Sequence, residues 1–163
     1  MPVFPPVIGI SQLAAPALST VIFTHGVNSW AALPALLEKG IDNTSISFWI
    51  SKYSEISGRL TVAALLGSIG FGIRAATHLP FESFSRFYYL LGSISSVGYL
   101  LFVPYFKYKM RKISEYNETI NSESTDPRSD IRFGLKVHFV SSIFDIAGAS
   151  FFWYGLYNAI HLR

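Results

Sequence analysis

Four polar residues of the last hydrophobic segment are spaced so that they share one helical face. Asp145 lies within VHFVSSIFDIAGASFFWYGLY and follows Ser142, Ser141 and His138 by three, four and seven residues. Side chains at these spacings lie on one side of an α-helix, so we expect this face to point into a helix bundle. A carboxylic acid in an apolar segment is a candidate functional group, since burying it is costly. It can also be structural, as a protonated acid that fixes helix register.

A second polar pair lies in the first hydrophobic segment. His25 and Asn28 are three residues apart on one helical face. If the first and last helices are antiparallel, this pair lies at the depth of Asp145, and we expect a cavity between those two helices to bring the groups together. A histidine beside a carboxylate suits proton transfer, because its pKa lies near neutral pH. Each histidine, His25 or His138, can instead be a satisfied donor between helices.

The composition predicts that these residues are surrounded by a membrane. The chain has 163 residues, of which 50% are hydrophobic and 14% charged, and its mean hydropathy is +0.37. Soluble domains carry about 25% charged residues. The absence of cysteine excludes disulfides, thiolate metal sites and cysteine nucleophiles. We therefore predict an integral membrane protein.

The hydrophobic segments predict an all-α fold, a single-domain four-helix membrane bundle over residues 1–163 with up-down-up-down topology. A spanning helix needs about 20 apolar residues. Segment 38–57 mixes charged and aromatic residues, as is typical of a membrane surface. Segment 107–129 is predicted to be a cytosolic loop, with Asp130 as N-cap of the last helix. The predicted spans are residues 8–36, 58–79, 87–106 and 130–161.

The distribution of cationic residues predicts the orientation of the bundle. Ten of the 13 Lys and Arg residues flank the first and third loops, which places those loops in the cytosol and both termini outside or in the lumen. The expected partners are the lipid bilayer and a small hydrophobic substrate, not nucleic acid. In a eukaryote the expected location is the endoplasmic reticulum, because no Arg-rich leader for mitochondrial import is present.

Aromatic residues are dense in the third and fourth spans, and those that face inward are expected to line a flat apolar pocket for a planar substrate. Arg74 lies near the lumenal end of the second span, where it can also snorkel to the surface. The candidate substrate contacts are Trp30, Tyr99, Arg74, Ser141 and Ser142.

Three kinds of site are excluded by residue spacing, namely phosphate loops, metal sites and serine nucleophiles. The glycines of GSIGFG, residues 67–72, predict close helix packing and not a phosphate loop, because no strand precedes them and no lysine follows. No metal-ligand spacing and no serine-nucleophile motif occurs, so neither a metal site nor a serine nucleophile is expected.

Several local patterns resemble the anthrone oxygenase family, small four-helix membrane proteins common in fungal polyketide gene clusters. The stretch HGVNSWAALPALL is similar to the family's small-residue run into a proline at the end of helix one. Trp49, Tyr53 and Gly58 are similar to its Trp, Tyr and Gly before helix two. Pro104-Tyr105 and Met110 are similar to its pattern after helix three, and its helix-four histidine matches His138. The chain departs from the family's Thr-Asn, Trp and Arg at Ile113-Ser114, Gly134 and Ser141.

The resemblance implies cofactor-free oxygenation, in which an anthrone is deprotonated and its carbanion reacts with oxygen to give a quinone. His25 or His138 would be the base, Asp145 would orient it or relay a proton, and Asn28 would donate to the developing enolate oxygen. Two alternatives remain open. One is an isomerase or a terpene or meroterpenoid cyclase with the same acid and base but no oxygen. The other is a non-catalytic membrane subunit or assembly factor.

Overall fold

Five α-helices make up the described part of the chain. The computed structural model describes residues 8–116 and 126–161, and no strand occurs within these ranges. The all-helical fold class is therefore confirmed. The helices are α1 (Ile10–Ala35), α2 (Asn43–Thr77), α3 (Phe84–Leu100), α4 (Val103–Ser114) and α5 (Pro127–His161).

Three helical stretches of the described residues are long and apolar enough to cross a membrane. They are Asn43–Thr77, Phe84–Ser114 and Pro127–His161, and they coincide with the second, third and fourth predicted spans. The first predicted span, now α1, is not among them, because uncharged polar side chains such as His25 and Asn28 lower its hydropathy. All three stretches and α1 nevertheless expose large apolar side chains, a pattern that is compatible with lipid contact. Examples are Val21, Leu66, Ile94 and Ile143.

The helix of the second span begins well before the predicted residue 58. The Asp42 carboxylate caps it by accepting a hydrogen bond from the Ser45 backbone N–H over 2.7 Å and another from the Ser45 hydroxyl over 2.8 Å. These hydrogen bonds lower the pKa of Asp42. The resulting helix has 35 residues and measures about 52 Å, against about 30 Å for a hydrocarbon core. The charged segment before the span is therefore largely a helical extension of it.

A proline changes the predicted end of the third span. α3 ends at Leu100, because Pro104 has no N–H to donate to the Leu100 carbonyl and its ring crowds that carbonyl. The chain then resumes as α4, so residues 107–114, which were predicted to be part of a loop, are helical. Residues 117–125 of that predicted loop lie outside the described residues.

Charged contacts tie the start of α5 to its neighbours. Asp130, predicted to be the N-cap of the last helix, instead lies inside the first turn of α5. Its carboxylate is 2.7 Å from Nζ of Lys109 and 3.4 Å from Nζ of Lys112, both on α4. The Arg128 guanidinium donates to backbone carbonyls between α1 and α2, those of Leu37, Glu38 and Ile41.

The long helices pack in a ring, with α1 beside α2, α2 beside α3, α3 beside α5 and α5 beside α1. Buried apolar side chains form three clusters inside this ring. The first cluster contains Ala15, Ala75, Ala76, Tyr89 and Phe152. The middle cluster contains Ile22, Ala64, Leu65 and Tyr99. The end cluster contains Leu33, Leu36, Ile46, Ile50, Ile113 and Ile131.

Glycines allow the helices around the fully buried Phe152 to approach closely. A Cβ added to Gly72 on α2 would lie 2.6 Å from Phe152 Cε1, and one added to Gly92 on α3 would lie 2.7 Å from Phe152 Cδ1. A Cβ on Gly67 would similarly meet Leu18, whereas Gly70 faces open space. The predicted packing role of the GSIGFG glycines therefore holds for Gly67 and Gly72.

We expect Gly72→Ala and Gly92→Ala each to lower the free energy of unfolding by about 1–3 kcal/mol, because the enclosed Phe152 ring cannot move aside. Gly70→Ala is the matched control, since its new methyl group meets nothing. Thermal unfolding in detergent, followed by circular dichroism, measures the difference. Equal melting temperatures for all three variants would contradict this account of the packing.

Candidate functional site

A layer of polar side chains lies between the middle and end clusters. On α1 it falls between Ile22 and Leu33, and on α2 between Ile50 and Ala64. We call it the polar layer. Its members are His25, Ser29 and Trp30 of α1, Tyr53 of α2, and His138, Ser142 and Asp145 of α5.

His25 is bonded to α2. The Tyr53 hydroxyl lies 3.2 Å from His25 Nε2, 3.4 Å from His25 Nδ1 and 2.6 Å from the Ser29 hydroxyl. The Ser29 hydroxyl in turn lies 3.0 Å from the His25 backbone carbonyl. The His25 and Tyr53 rings are stacked at a centroid distance of 5.6 Å, and the Trp49 ring also stacks on Tyr53, at 4.8 Å. These contacts fix the orientation of the imidazole.

Each hydroxyl of this network has one proton, so two arrangements satisfy it. In one, a ring N–H of His25 donates to Tyr53, Tyr53 to Ser29, and Ser29 to the His25 carbonyl, which leaves the other ring nitrogen as the basic one. In the other, Ser29 donates to Tyr53 and Tyr53 donates to an unprotonated ring nitrogen of His25. The arrangements differ only in the positions of protons. The network can therefore present a base, or receive a proton, without moving a heavy atom.

This network lines a groove between α1 and α2. The groove has a volume of about 320 Å³, and its polar wall consists of His25, Tyr53, Ser57 and Thr61. Aliphatic side chains form the remaining wall of the groove. Lys52 also belongs to the lining of the groove. The sequence predicted a cavity between the first and last helices. The groove lies instead on the opposite side of α1, because the consecutive residues His25 and Gly26 face different neighbours. The aliphatic wall is Val21, Ile22, Ile56 and Leu60.

On the other side of α1, Gly26 faces α5. His138 Nε2 donates a hydrogen bond to the Gly26 carbonyl over 3.2 Å, so this nitrogen carries the proton. A Cβ added to Gly26 would lie 3.5 Å from Asp145 Oδ2 and 3.9 Å from His138 Nε2. Asp145 is only 5% exposed, and no group of the described residues donates a hydrogen bond to its buried Oδ2. Asp145 and His138 thus meet at Gly26, while His25 is turned toward Tyr53.

The aromatic side chains of Trp30 and Phe106 pack against His138. The Trp30 indole donates to the Ser142 hydroxyl over 3.2 Å and stacks on His138 at 5.5 Å. Phe106 packs edge-on against His138 at 5.8 Å and stacks on Tyr99 at 6.5 Å. The surroundings of this imidazole are therefore apolar apart from Gly26, Ser142 and Asp145.

The predicted face of α5 is buried, as the spacing indicated. Ser141 is fully enclosed and Ser142 partly so, and each hydroxyl donates to the His138 carbonyl. Tyr99 is also buried. Two predicted residues lie apart from the polar layer, because Asn28 is exposed on the outer face of α1 and Arg74 is exposed near the end of α2. Neither is brought toward Asp145.

Tyr53 and Ser29 are the site residues that sequence reasoning did not select. A signal was present, because Tyr53, Ser57 and Thr61 recur every four residues on α2, and Ser29 follows His25 by four on α1. Within residues 8–116 and 126–161, no group of three or more His, Asp or Glu side chains could hold a metal ion.

We expect Gly26→Ala to leave the free energy of unfolding unchanged or slightly higher, because its methyl group would make ordinary contacts with Asp145 and His138. Gly26→Leu should lower it by about 1–3 kcal/mol, since the longer side chain must separate α1 from α5. Gly70→Leu, which enters open space, is the control. Chemical unfolding in detergent provides the measurement, and a destabilised Gly26→Ala would argue against the geometry.

Comparisons with protein-family models, with curated proteins and with solved structures gave no match. The resemblance to anthrone oxygenases therefore stays a prediction from sequence pattern. The function is argued below from the geometry of the polar layer and the groove.

Proposed function

We propose that this chain is a four-span membrane protein in which α1 crosses the bilayer with the other long helices. The contacts of α1 support this, since Thr20 bonds Trp153, and Trp30 bonds Ser142. Along α1 the residue numbers rise from 20 to 30 while those of their contacts on α5 fall from 153 to 142. This is the pattern of two antiparallel helices. The charge pattern puts the α1–α2 loop in the cytosol and both termini on the opposite side.

The absence of native cysteine allows a direct test of this topology. We expect Lys39→Cys, in the α1–α2 loop, to react with an impermeant maleimide when the reagent has access to the cytosolic side of the membrane. It should not react when the reagent is on the opposite side of an intact membrane. Glu82→Cys, between α2 and α3, should react from the opposite side, because four spans alternate the loops. Labelling of both cysteines from one side would contradict the topology.

We propose further that the protein is a membrane-embedded enzyme that performs acid–base chemistry on a lipophilic aromatic or polycyclic substrate. The observation that carries this proposal is the His25–Tyr53–Ser29 network beside a groove whose remaining wall is aliphatic. A hydrogen-bond network whose role is only structural would not need a groove beside it. A groove of about 320 Å³ is within the usual range for small-molecule sites, about 300–1,000 Å³.

Cofactor-free oxygenation of an anthrone-like polyketide is the favoured reaction. His25 removes a proton from the methylene carbon, and the Tyr53 hydroxyl donates to the enolate oxygen that forms. The carbanion reduces dioxygen to a carbon-bound peroxide, which takes up the proton. Loss of water breaks the O–O bond and the second C–H bond and leaves the quinone carbonyl. Tyr53 here takes the role first assigned to Asn28, which faces outward.

Asp145 and His138 have a supporting role in this proposal. Their contact with Gly26 is one residue from His25, so they hold the backbone of the base on its far side. An isomerase or cyclase would use the same His25 and Tyr53 without oxygen. A non-catalytic subunit would need the polar layer only for packing.

We expect His25→Phe to lower anthrone-dependent oxygen uptake at least about 100-fold, the usual contribution of a general base. Tyr53→Phe should lower it less, since the base remains. His78→Phe, at an exposed histidine beyond α2, is the matched control and should retain full activity. Oxygen electrodes on nanodisc-reconstituted protein measure the rates.

Deuterium exchange at the anthrone methylene under anaerobic conditions separates the alternatives. Exchange without oxygen uptake in air would favour the isomerase or cyclase. Folded His25→Phe protein with unchanged exchange and unchanged oxygen uptake would refute the catalytic role of His25. Loss of abundance in His25→Phe and Asp145→Asn alike, with no turnover by the unaltered protein, would favour the assembly factor.

A further inference from the structure

The groove between α1 and α2 has one charged residue in its lining, Lys52. Its other members are aliphatic or uncharged polar apart from His25. A cation at the edge of an apolar groove is a feature that the proton chemistry of His25 and Tyr53 does not use.

Lys52 has no acidic partner among the described residues. The ion pairs of those residues use other cations, namely Lys109 and Lys112 with Asp130, and Arg111 with Glu115. The Lys52 ammonium lies 5.9 Å from the centre of the Phe48 ring, and its side chain is exposed. Lys52 thus lines the groove without a carboxylate of the described residues to neutralise its charge.

The charge in the lining of the groove lies at one end of it. Lys52 is adjacent to Tyr53, whose hydroxyl meets His25, whereas the remaining lining residues of α2 lie one or more turns further along the helix and are uncharged, namely Ile56, Ser57, Leu60 and Thr61. A molecule lying along the groove would therefore meet the cation and His25 at one end and only uncharged side chains of α2 at the other. The lysine side chain, with its long flexible stem, can reach the membrane surface while the groove continues into the apolar region.

We propose that the substrate of this groove is an aromatic carboxylic acid, whose carboxylate is bound by Lys52 while its fused rings lie against Ile22, Ile56 and Leu60. This rests on the proposed function in that it names the substrate class of the same groove. A carboxylate is favoured over a phenol, because a phenol with a pKa of about 10 is neutral at pH 7 and gains little from a cation. The small volume favours a compact ring system.

Binding of a fluorescent pair tests the proposal without turnover. The probes are 9-anthracenecarboxylate and neutral 9-methylanthracene, titrated into full-length protein in zwitterionic nanodiscs. Energy transfer from tryptophan to anthracene reports binding, and empty nanodiscs correct for partition into lipid. We expect the unaltered protein to bind the carboxylate more tightly than the neutral probe.

Lys52→Gln should weaken binding of the carboxylate about fivefold, as loss of one partly exposed ion pair implies, and leave the neutral probe unaffected. Lys52→Arg should retain the preference. Lys136→Gln removes one positive charge from α5, away from the groove, and should change neither affinity. Equal affinity for both probes in the unaltered protein, or equal losses in Lys52→Gln and Lys136→Gln, would overturn the proposal.

Failure of the proposed enzyme activity and failure of the proposed substrate class give different results in these experiments. A carboxylate preference that depends on Lys52, without oxygen uptake or methylene exchange, would refute the proposed enzyme and retain the ligand class. Turnover with no Lys52-dependent preference would retain the enzyme and refute the carboxylic acid.

Discussion

The approach of α5 to the backbone of α1 at Gly26 is the contact on which the polar layer depends. The absence of a large side chain at Gly26 lets His138 reach the Gly26 carbonyl and lets Asp145 lie against the same position. In an apolar bundle such a bond has no competition from water, and an imidazole without it would carry a large desolvation cost. The contact therefore fixes the register of α5 on α1, and with it the levels at which Trp30 meets Ser142 and Thr20 meets Trp153.

That register divides the polar groups between two sides of α1. His25 turns toward α2, where it contacts Tyr53 beside the groove. Gly26 turns toward α5, where no group of the described residues donates to the buried Oδ2 of Asp145. The two sets are close along the chain but differ in access. His25 and Tyr53 border the groove between α1 and α2. His138, beside Asp145, is instead enclosed by the aromatic side chains of Trp30 and Phe106. This difference is why we assign the base to His25 and a supporting role to the α5 pair.

The remainder of the fold holds this layer in place by dense packing. Phe152 fills the space left by Gly72 and Gly92, and the end cluster is closed by the contacts of Asp130 and Arg128. The end cluster also explains why α2 and α5 are much longer than a bilayer requires. Their first turns, together with α4, form an extension of the bundle around Ile46, Ile113 and Ile131.

The sequence by itself determined the helical class, three stretches long and apolar enough to cross a membrane, and the buried face of α5. These follow from local composition and the helical period, which act over one segment at a time. It missed the break at Pro104, the helical character of the segment before the second span, and the outward position of Asn28. It also predicted Asp145 as the partner of His25 or His138; the structure brings Asp145 and His138 to Gly26 and pairs His25 with Tyr53.

Only the tertiary structure decided those pairings, for a physical reason. A helical period states which residues share a face, but not which neighbouring helix that face meets, and one residue of rotation, about 100°, separates His25 from Gly26. The choice depends on where the backbones approach most closely, which is set by small residues on several helices at once. The types of chemical group in the site were therefore readable from the sequence, and their partners were fixed by packing.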